Sequence, residues 1–294
     1  MPKTRRVLSL VLLISLGLSA CNHESGGDFV HRHQGRSYRL HVPSAVEQAP
    51  LVVVMHGYGG DGEWMKTHLG WVELAEEQGF AVCFPDGTLD ESGRRFWNVG
   101  YAMHDQSTVD DTAYLVDLVE VLRARHGLHP EWAYATGFSN GADMSYLLAC
   151  KAAGTFQAIG PVAGTMMDSL YFQSRPDRPC SVIAFNGIDD EITRFDGDPD
   201  DRDGWGPYRS VPEVTDFWVQ ANHLTEFEGI RVLDPPGSRD SGFELDRHWR
   251  ADSPVEVRSY RILGGGHEWP TSSDGHSLDA TRIIWEFFAS GRSN

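Results

Sequence analysis

Apolar and polar positions follow two rhythms that alternate along the chain. "LVVVM" (51–55) and "FAVCF" (80–84) are short, unbroken apolar runs, the pattern of strands buried on both faces. "YRLHV" (38–42), "EWAYAT" (131–136), "CSVIAF" (180–185) and "VEVRSYRI" (255–262) add four more strands. Between them the period changes to that of a helix over 63–78, 140–152, 212–222 and 278–290. A further helix opens at "STVDD", where Ser107 and Asp110 have capping-box spacing. It carries Leu115, Leu118, Val119 and Leu122 and closes at Gly127. Strand–helix alternation with short connections predicts an α/β fold, a mainly parallel sheet with helices on both faces. One segment breaks the rhythm. Residues 189–210 form a long, acidic, Gly/Pro-rich segment, which in a compact domain reads as a lid or a binding insertion.

The first residues belong to a different class. Lys3, Arg5 and Arg6 precede an apolar run from Val7 to Leu18, too short for a comfortable membrane span. The run ends Leu18-Ser19-Ala20-Cys21, which resembles a bacterial lipobox. That resemblance implies a signal peptide over 1–20, cleavage before Cys21 and lipidation of Cys21. Residues 21–35 then read as a polar tether and 36–294 as the folded domain. The expected partner of the anchor is a membrane of the bacterial cell envelope, at the periplasmic or outer surface.

The 294 residues carry a formal charge of −17, with 40% hydrophobic and 23% charged residues. This composition fits a globular domain with a substantial core. The acidic balance and the lack of a clustered basic face argue against nucleic acid as a partner. Beyond Cys21 there are Cys83, Cys150 and Cys180. Cys83 lies within an apolar strand and reads as a core thiol, which leaves Cys150–Cys180 as the candidate disulfide of an exported chain.

The chemistry gathers at "GFSNG" (137–141), a G-x-S-x-G pattern between a predicted strand and a predicted helix. In that context Ser139 is expected on a tight, strained turn at a helix N-terminus, where developing negative charge is favoured. Serine is a weak nucleophile and needs a base. His267 in "GGGHEWP" (264–270) sits on a Gly-rich loop after the last strand, with His276 as its competitor. An orienting acid is expected between serine and histidine. "NGIDDE" (186–191) offers Asp189, Asp190 and Glu191, and the spacing from Gly187 favours Asp190. The oxyanion hole needs two N–H groups. One is expected from Asn140, the other from "HGYGGDG" (56–62), at Tyr58 or, alternatively, Gly57. Trp97, Trp205 and Trp269 are candidate walls for an acyl group or sugar. "DGDPDDRDG" (196–204) spaces carboxylates somewhat like a calcium loop. It lacks the glycine at the sixth position and the closing glutamate, so neither metal nor cofactor is expected.

With these pieces in order, the chain resembles the secreted polyhydroxybutyrate depolymerase and feruloyl esterase group of α/β-hydrolases. The resemblance rests on "LVVVMHGYGGDG", "GFAVCFPDG", "RFWN", "VDDTAYLVDLV", "YATGFSNGADMSYLLAC", "GPVAG", "RILGGGHEWP" and "IIWEFF". It implies Ser139 as nucleophile, Asp190 as acid, His267 as base, and hydrolysis of small or aromatic-acyl esters through an acyl-enzyme. Two positions depart from the family. The H-G-T-A-D around the acid is here Asn186-Gly187-Ile188-Asp189-Asp190, and Ala142 replaces the second glycine after the nucleophile. The competing readings are a non-catalytic binding lipoprotein that keeps the fold, and a serine peptidase.

Overall fold

A computed structural model describes residues 30–44, 46–235 and 238–292. The expected signal sequence, Cys21 and most of the expected tether lie outside the described residues. The strands are Val30–His33 (β1), Arg36–His41 (β2), Leu51–Met55 (β3), Ala81–Pro85 (β4), Thr88–Leu89 (β5), Arg95–Phe96 (β6), Ala133–Phe138 (β7), Ala158–Val162 (β8), Ser181–Gly187 (β9), Glu226–Leu233 (β10), Gly242–Trp249 (β11) and Glu256–Leu263 (β12). The α-helices are Gly62–His68 (α1), Trp71–Gln78 (α2), Asp111–His126 (α3), Asn140–Lys151 (α4), Asp168–Gln173 (α5), Val211–Ala221 (α6) and Ala280–Ser290 (α7).

Ten strands form one sheet in the order β1-β2-β4-β3-β7-β8-β9-β12-β11-β10, and β5 pairs with β6 apart from it. The central ladder from β4 to β12 is parallel, while β1, β2, β11 and β10 are antiparallel additions at the two edges. Alternate strand residues feed two cores, as a pleat requires. Leu51, Val53 and Met55 pack with Leu118, Leu122, Met144 and Trp218 of α3, α4 and α6. Val52 and Val54 pack with Trp71, Leu74, Ile284 and Phe288 of α2 and α7 on the opposite face. The parallel sheet therefore has helices on both faces.

Several boundaries move for local reasons. The predicted helix 63–78 is two helices, because Gly70 adopts a left-handed φ of 69° between them. α3 starts later than the capping-box spacing implies. Asp110, not Ser107, is the N-cap, and its side chain accepts from the Ala113 N–H. α6 does open with a full capping box, between Ser210 and Glu213. Cys150 and Cys180 do not form the expected disulfide. All three described cysteines are free and buried, and the Cys180 thiol points at the carbonyls of Gln157 and Ser181.

Candidate active site

The central feature is the junction of β7 and α4. Ser139 is the N-cap of α4 and adopts φ 54°, ψ −119°, a region costly for a residue with a side chain. Its N–H is fixed to the Val162 carbonyl at 2.9 Å. The flanking glycines are obligatory for close packing. A Cβ on Gly137 would collide with the Gly141 carbonyl, and one on Gly141 with the Met55 carbonyl. The G-x-S-x-G pattern is thus the imprint of β3, β7 and α4 pressed together beneath Ser139.

Asp190 and His267 meet above the adjoining strand ends. His267 Nδ1 and Asp190 Oδ2 are 2.8 Å apart, and the Asp190 side chain is only 1% exposed. The other oxygen, Oδ1, accepts from the N–H groups of Ile192 and Thr193, both at 2.8 Å. Asp189 and Glu191 are exposed, and neither pairs with His267. Two backbone bonds zip the acid turn to the histidine loop, Ile188 N–H to Ile262 O and Asp189 N–H to Gly265 O. Gly187 is required here, since a Cβ would strike the carbonyls of Gly265 and Gly266. The His267 ring lies against Phe138, the residue before Ser139, at 4.9 Å between centroids. Ser139 Oγ itself makes no hydrogen bond among the described residues.

The loop after β3 backs onto the serine. A Cβ built on Gly57 would sit 3.3 Å from the Ser139 Cβ. Gly59 N–H donates to Arg95 O and Gly60 N–H to Gly57 O, whereas the N–H groups of Tyr58 and Asn140 donate to no backbone acceptor among the described residues. His56 holds this loop. Its Nε2 accepts from the Gly87 N–H at 2.9 Å, so the proton sits on Nδ1, which donates to Gly57 O at 2.7 Å. Burial lowers its pKa to about 4 and keeps it neutral. The Asn140 side chain brackets the Trp97 backbone, accepting from its N–H and donating to its carbonyl.

Ser139 opens onto a small cleft, lined also by Tyr101, Asp143, Thr165, Met167, Trp205 and Tyr208. The acidic insertion supplies one wall. It is a pinned structure: Tyr208 bridges to both Met167 and Asp198, Arg194 pairs with Asp203, and Arg209 pairs with Asp168. The Asp198 carboxylate holds Arg202 and the Asp203 N–H, so the calcium-like spacing reflects internal pairing.

Two of the three tryptophans do not reach this cleft. Trp97 is fully buried, donates from Nε1 to His56 O and packs on the His56 ring. Trp269 is 5% exposed, donates to Thr281 Oγ1 and meets Trp71 in the core against α2 and α7. Position two residues after His267 does not carry a side chain into the site, because the chain turns inward there. Trp205 does line the cleft, edge-on to Tyr58 and Tyr101. The competitor His276 is buried and bonded to Asp240. The departures from the family pattern are structural. Asn186 donates to the Gly164 carbonyl, and Ala142 packs where only a glycine at 164 leaves room. Sequence reasoning missed His56, Tyr101 and Asp143. A single histidine after a strand and an acid in a helix's first turn are ordinary features, so only their burial marks them.

Comparisons with known proteins agree with this architecture. Residues 36–173 match the family described as esterase PHB depolymerase. The chain is 30% identical over 251 residues to NocK of Nocardia uniformis subsp. tsuyamanensis, a protein named as an esterase, covering 80% of this chain and 71% of that one. It is 27% identical to a protein named feruloyl esterase C of Aspergillus terreus, covering 96% and 97% of the two chains. The solved structure of an acetyl xylan esterase from Aspergillus awamori superposes with a TM-score of 0.61 at 17% identity, over 87% of this chain and 94% of that one, a likeness of fold. The chain belongs to the esterase PHB depolymerase family, carboxylic ester hydrolases of the α/β-hydrolase fold.

Proposed function

We propose that the protein hydrolyses carboxylic esters through an acyl-enzyme on Ser139. His267 takes the serine proton as Oγ attacks the ester carbonyl, and returns it to the leaving alcohol. Asp190 fixes the imidazole tautomer through Nδ1 and stabilises its charged form. The N–H groups of Asn140 and Tyr58 receive the developing oxyanion. Water, deprotonated by His267, then releases the acid. The observation that carries this reading is the 2.8 Å Asp190–His267 bond on a loop zipped to the acid turn and lying against Phe138. No cofactor enters any step.

For substrate, we favour small or aromatic-acyl esters: acetyl or feruloyl esters of polysaccharide, or hydroxyalkanoate oligomers. The narrow cleft walled by Trp205, Tyr101 and Tyr208 supports this, as do relatives named feruloyl esterase C and poly(3-hydroxyalkanoate) depolymerase C. The lipobox-like sequence supports an enzyme exported and anchored through Cys21 at the cell envelope. The test of substrate is kcat/KM across acetyl, butyryl, octanoyl, palmitoyl and feruloyl esters with a peptide panel beside them. Palmitoyl esters or peptides as best substrates would overturn the assignment. For the anchor, bacteria fed a labelled fatty acid should label the wild type and not Cys21→Ser.

A further inference from the structure

One acid in the cleft is not used by the hydrolytic steps. Asp143 lies one helical turn beyond Ser139 on α4, so the two side chains share a face. Both line the cleft, yet Asp143 is only 5% exposed. Its Oδ2 accepts from the Tyr101 hydroxyl at 2.6 Å, and its Oδ1 from the Thr165 N–H at 2.8 Å. Neither partner is a cation. Burial raises its pKa to about 7, against the hydrogen bonds from Tyr101 and Thr165 and the nearby His267, which lower it.

A buried carboxylate with two neutral donors is only partly compensated. Two of its roughly four lone-pair sites remain open. Besides Thr165 and Thr193, the surrounding wall is apolar and aromatic: Met167, Ile192, Trp205 and the rings of Tyr101 and Tyr208. A plain alkyl chain entering this space satisfies the walls and covers the acid without a partner. A chain carrying a hydroxyl or ammonium beyond the ester carbonyl satisfies both. Tyr101 is itself held edge-on by Trp205 at 5.3 Å, so the acceptor is presented on a fixed support.

We propose that Asp143, braced by Tyr101 and Thr165, is a specificity-determining residue that selects short acyl groups bearing a hydrogen-bond donor. This rests on Ser139 being the nucleophile. The donor's chemistry, hydroxyl or ammonium, is the shared requirement, and substrates distinguish the two.

The experiment measures kcat/KM by pH-stat for ethyl butyrate, ethyl 3-hydroxybutyrate and ethyl 3-aminobutyrate, on the full-length protein without its signal peptide. Wild type is expected to prefer one or both donor-bearing esters over the butyrate by about tenfold or more, the scale of a hydrogen bond to a charged group. Asp143→Asn, which keeps the shape, should shrink that ratio, and Asp143→Leu should abolish or invert it. Preference for the ammonium ester identifies the ionised acid as the selector; preference for the hydroxyl ester identifies its acceptor sites. Equal rates on all three esters in wild type would overturn the proposal without any variant, as would a preference that survives both substitutions. Labelling of Ser139 by a fluorophosphonate, run in parallel, separates the two levels. Absence of label removes the nucleophile assignment, whereas normal label with no acyl preference removes only the role of Asp143.

Discussion

Two histidine–aspartate pairs stand close together in sequence and nearly equal in geometry. His267 and Asp190 are 2.8 Å apart, His276 and Asp240 2.7 Å. Their surroundings differ. The His267 side chain is 18% exposed and its ring lies against Phe138, next to the strained serine. The His276 side chain is 1% exposed, and its second nitrogen faces Glu268 at 3.7 Å. One imidazole is partly exposed beside the serine turn. The other is enclosed between two carboxylates and serves the packing of the loop. An Asp–His bond alone is therefore no mark of catalysis; what lies on the far side of the ring decides.

The sharpest way to break this comparison is to neutralise each acid in turn. Asp190→Asn is expected to lower kcat by on the order of 10⁴-fold with the fold retained. Asp240→Asn should cost far less activity and instead destabilise, by roughly 1–3 kcal/mol, because it disturbs a buried hydrogen bond to His276. Steady-state rates and urea unfolding on both variants separate the roles. A reversed pattern would make His276 the base.

The tryptophans offer a second contrast of the same kind. Trp269→Ala should leave the ranking of acyl substrates unchanged and reduce stability by about 3–5 kcal/mol, since it empties a core site. Trp205→Ala should do the opposite, with small loss of stability and an altered ranking. An acyl ranking that changes only in Trp269→Ala would show that the cleft has been misplaced.

A third histidine sharpens the comparison through pH. His56 is buried with its pKa lowered to about 4 from an ordinary 6.5. A group depressed on folding binds fewer protons in the native state between these values. Its contribution, about 3 kcal/mol, is present above pH 6.5 and lost as pH falls through 4. Replacement by the non-titrating His56→Gln should flatten the fall of melting temperature over that window. Parallel curves for the two proteins would refute the buried, neutral assignment.

Much of this arrangement was legible in the sequence because it depends on local rules. Unbroken apolar runs marked the parallel strands, and Gly137 and Gly141 are needed by backbone contacts that any strand–turn–helix of this type makes. The spacing from Gly187 singled out Asp190 because glycine must be where the histidine loop crosses. Elements whose reason is tertiary were not legible. In the hairpin of β10 and β11, β10 is exposed along its whole length and both strands carry charge, so there is no clear alternation. β8, "AIGPV", contains the glycine and proline that usually exclude a strand, yet Gly160 is there because Ile284 of α7 packs directly on it. Trp97 and Trp269 are candidate walls in the sequence, yet both are core residues, because side-chain direction is settled by packing. Asp143 gave no signal at all, since an acid in a first helical turn is ordinarily solvated.

The most direct test of the central claim, that Ser139 is activated by His267, is covalent capture. Purified protein is incubated with a fluorophosphonate, digested, and read by mass spectrometry, with His267→Ala and Asp190→Asn treated alongside. The expected result is one adduct on the peptide carrying Ser139, formed rapidly in wild type and far more slowly in either variant. An unlabelled Ser139 in folded wild type, or labelling at the same rate without His267, would contradict it.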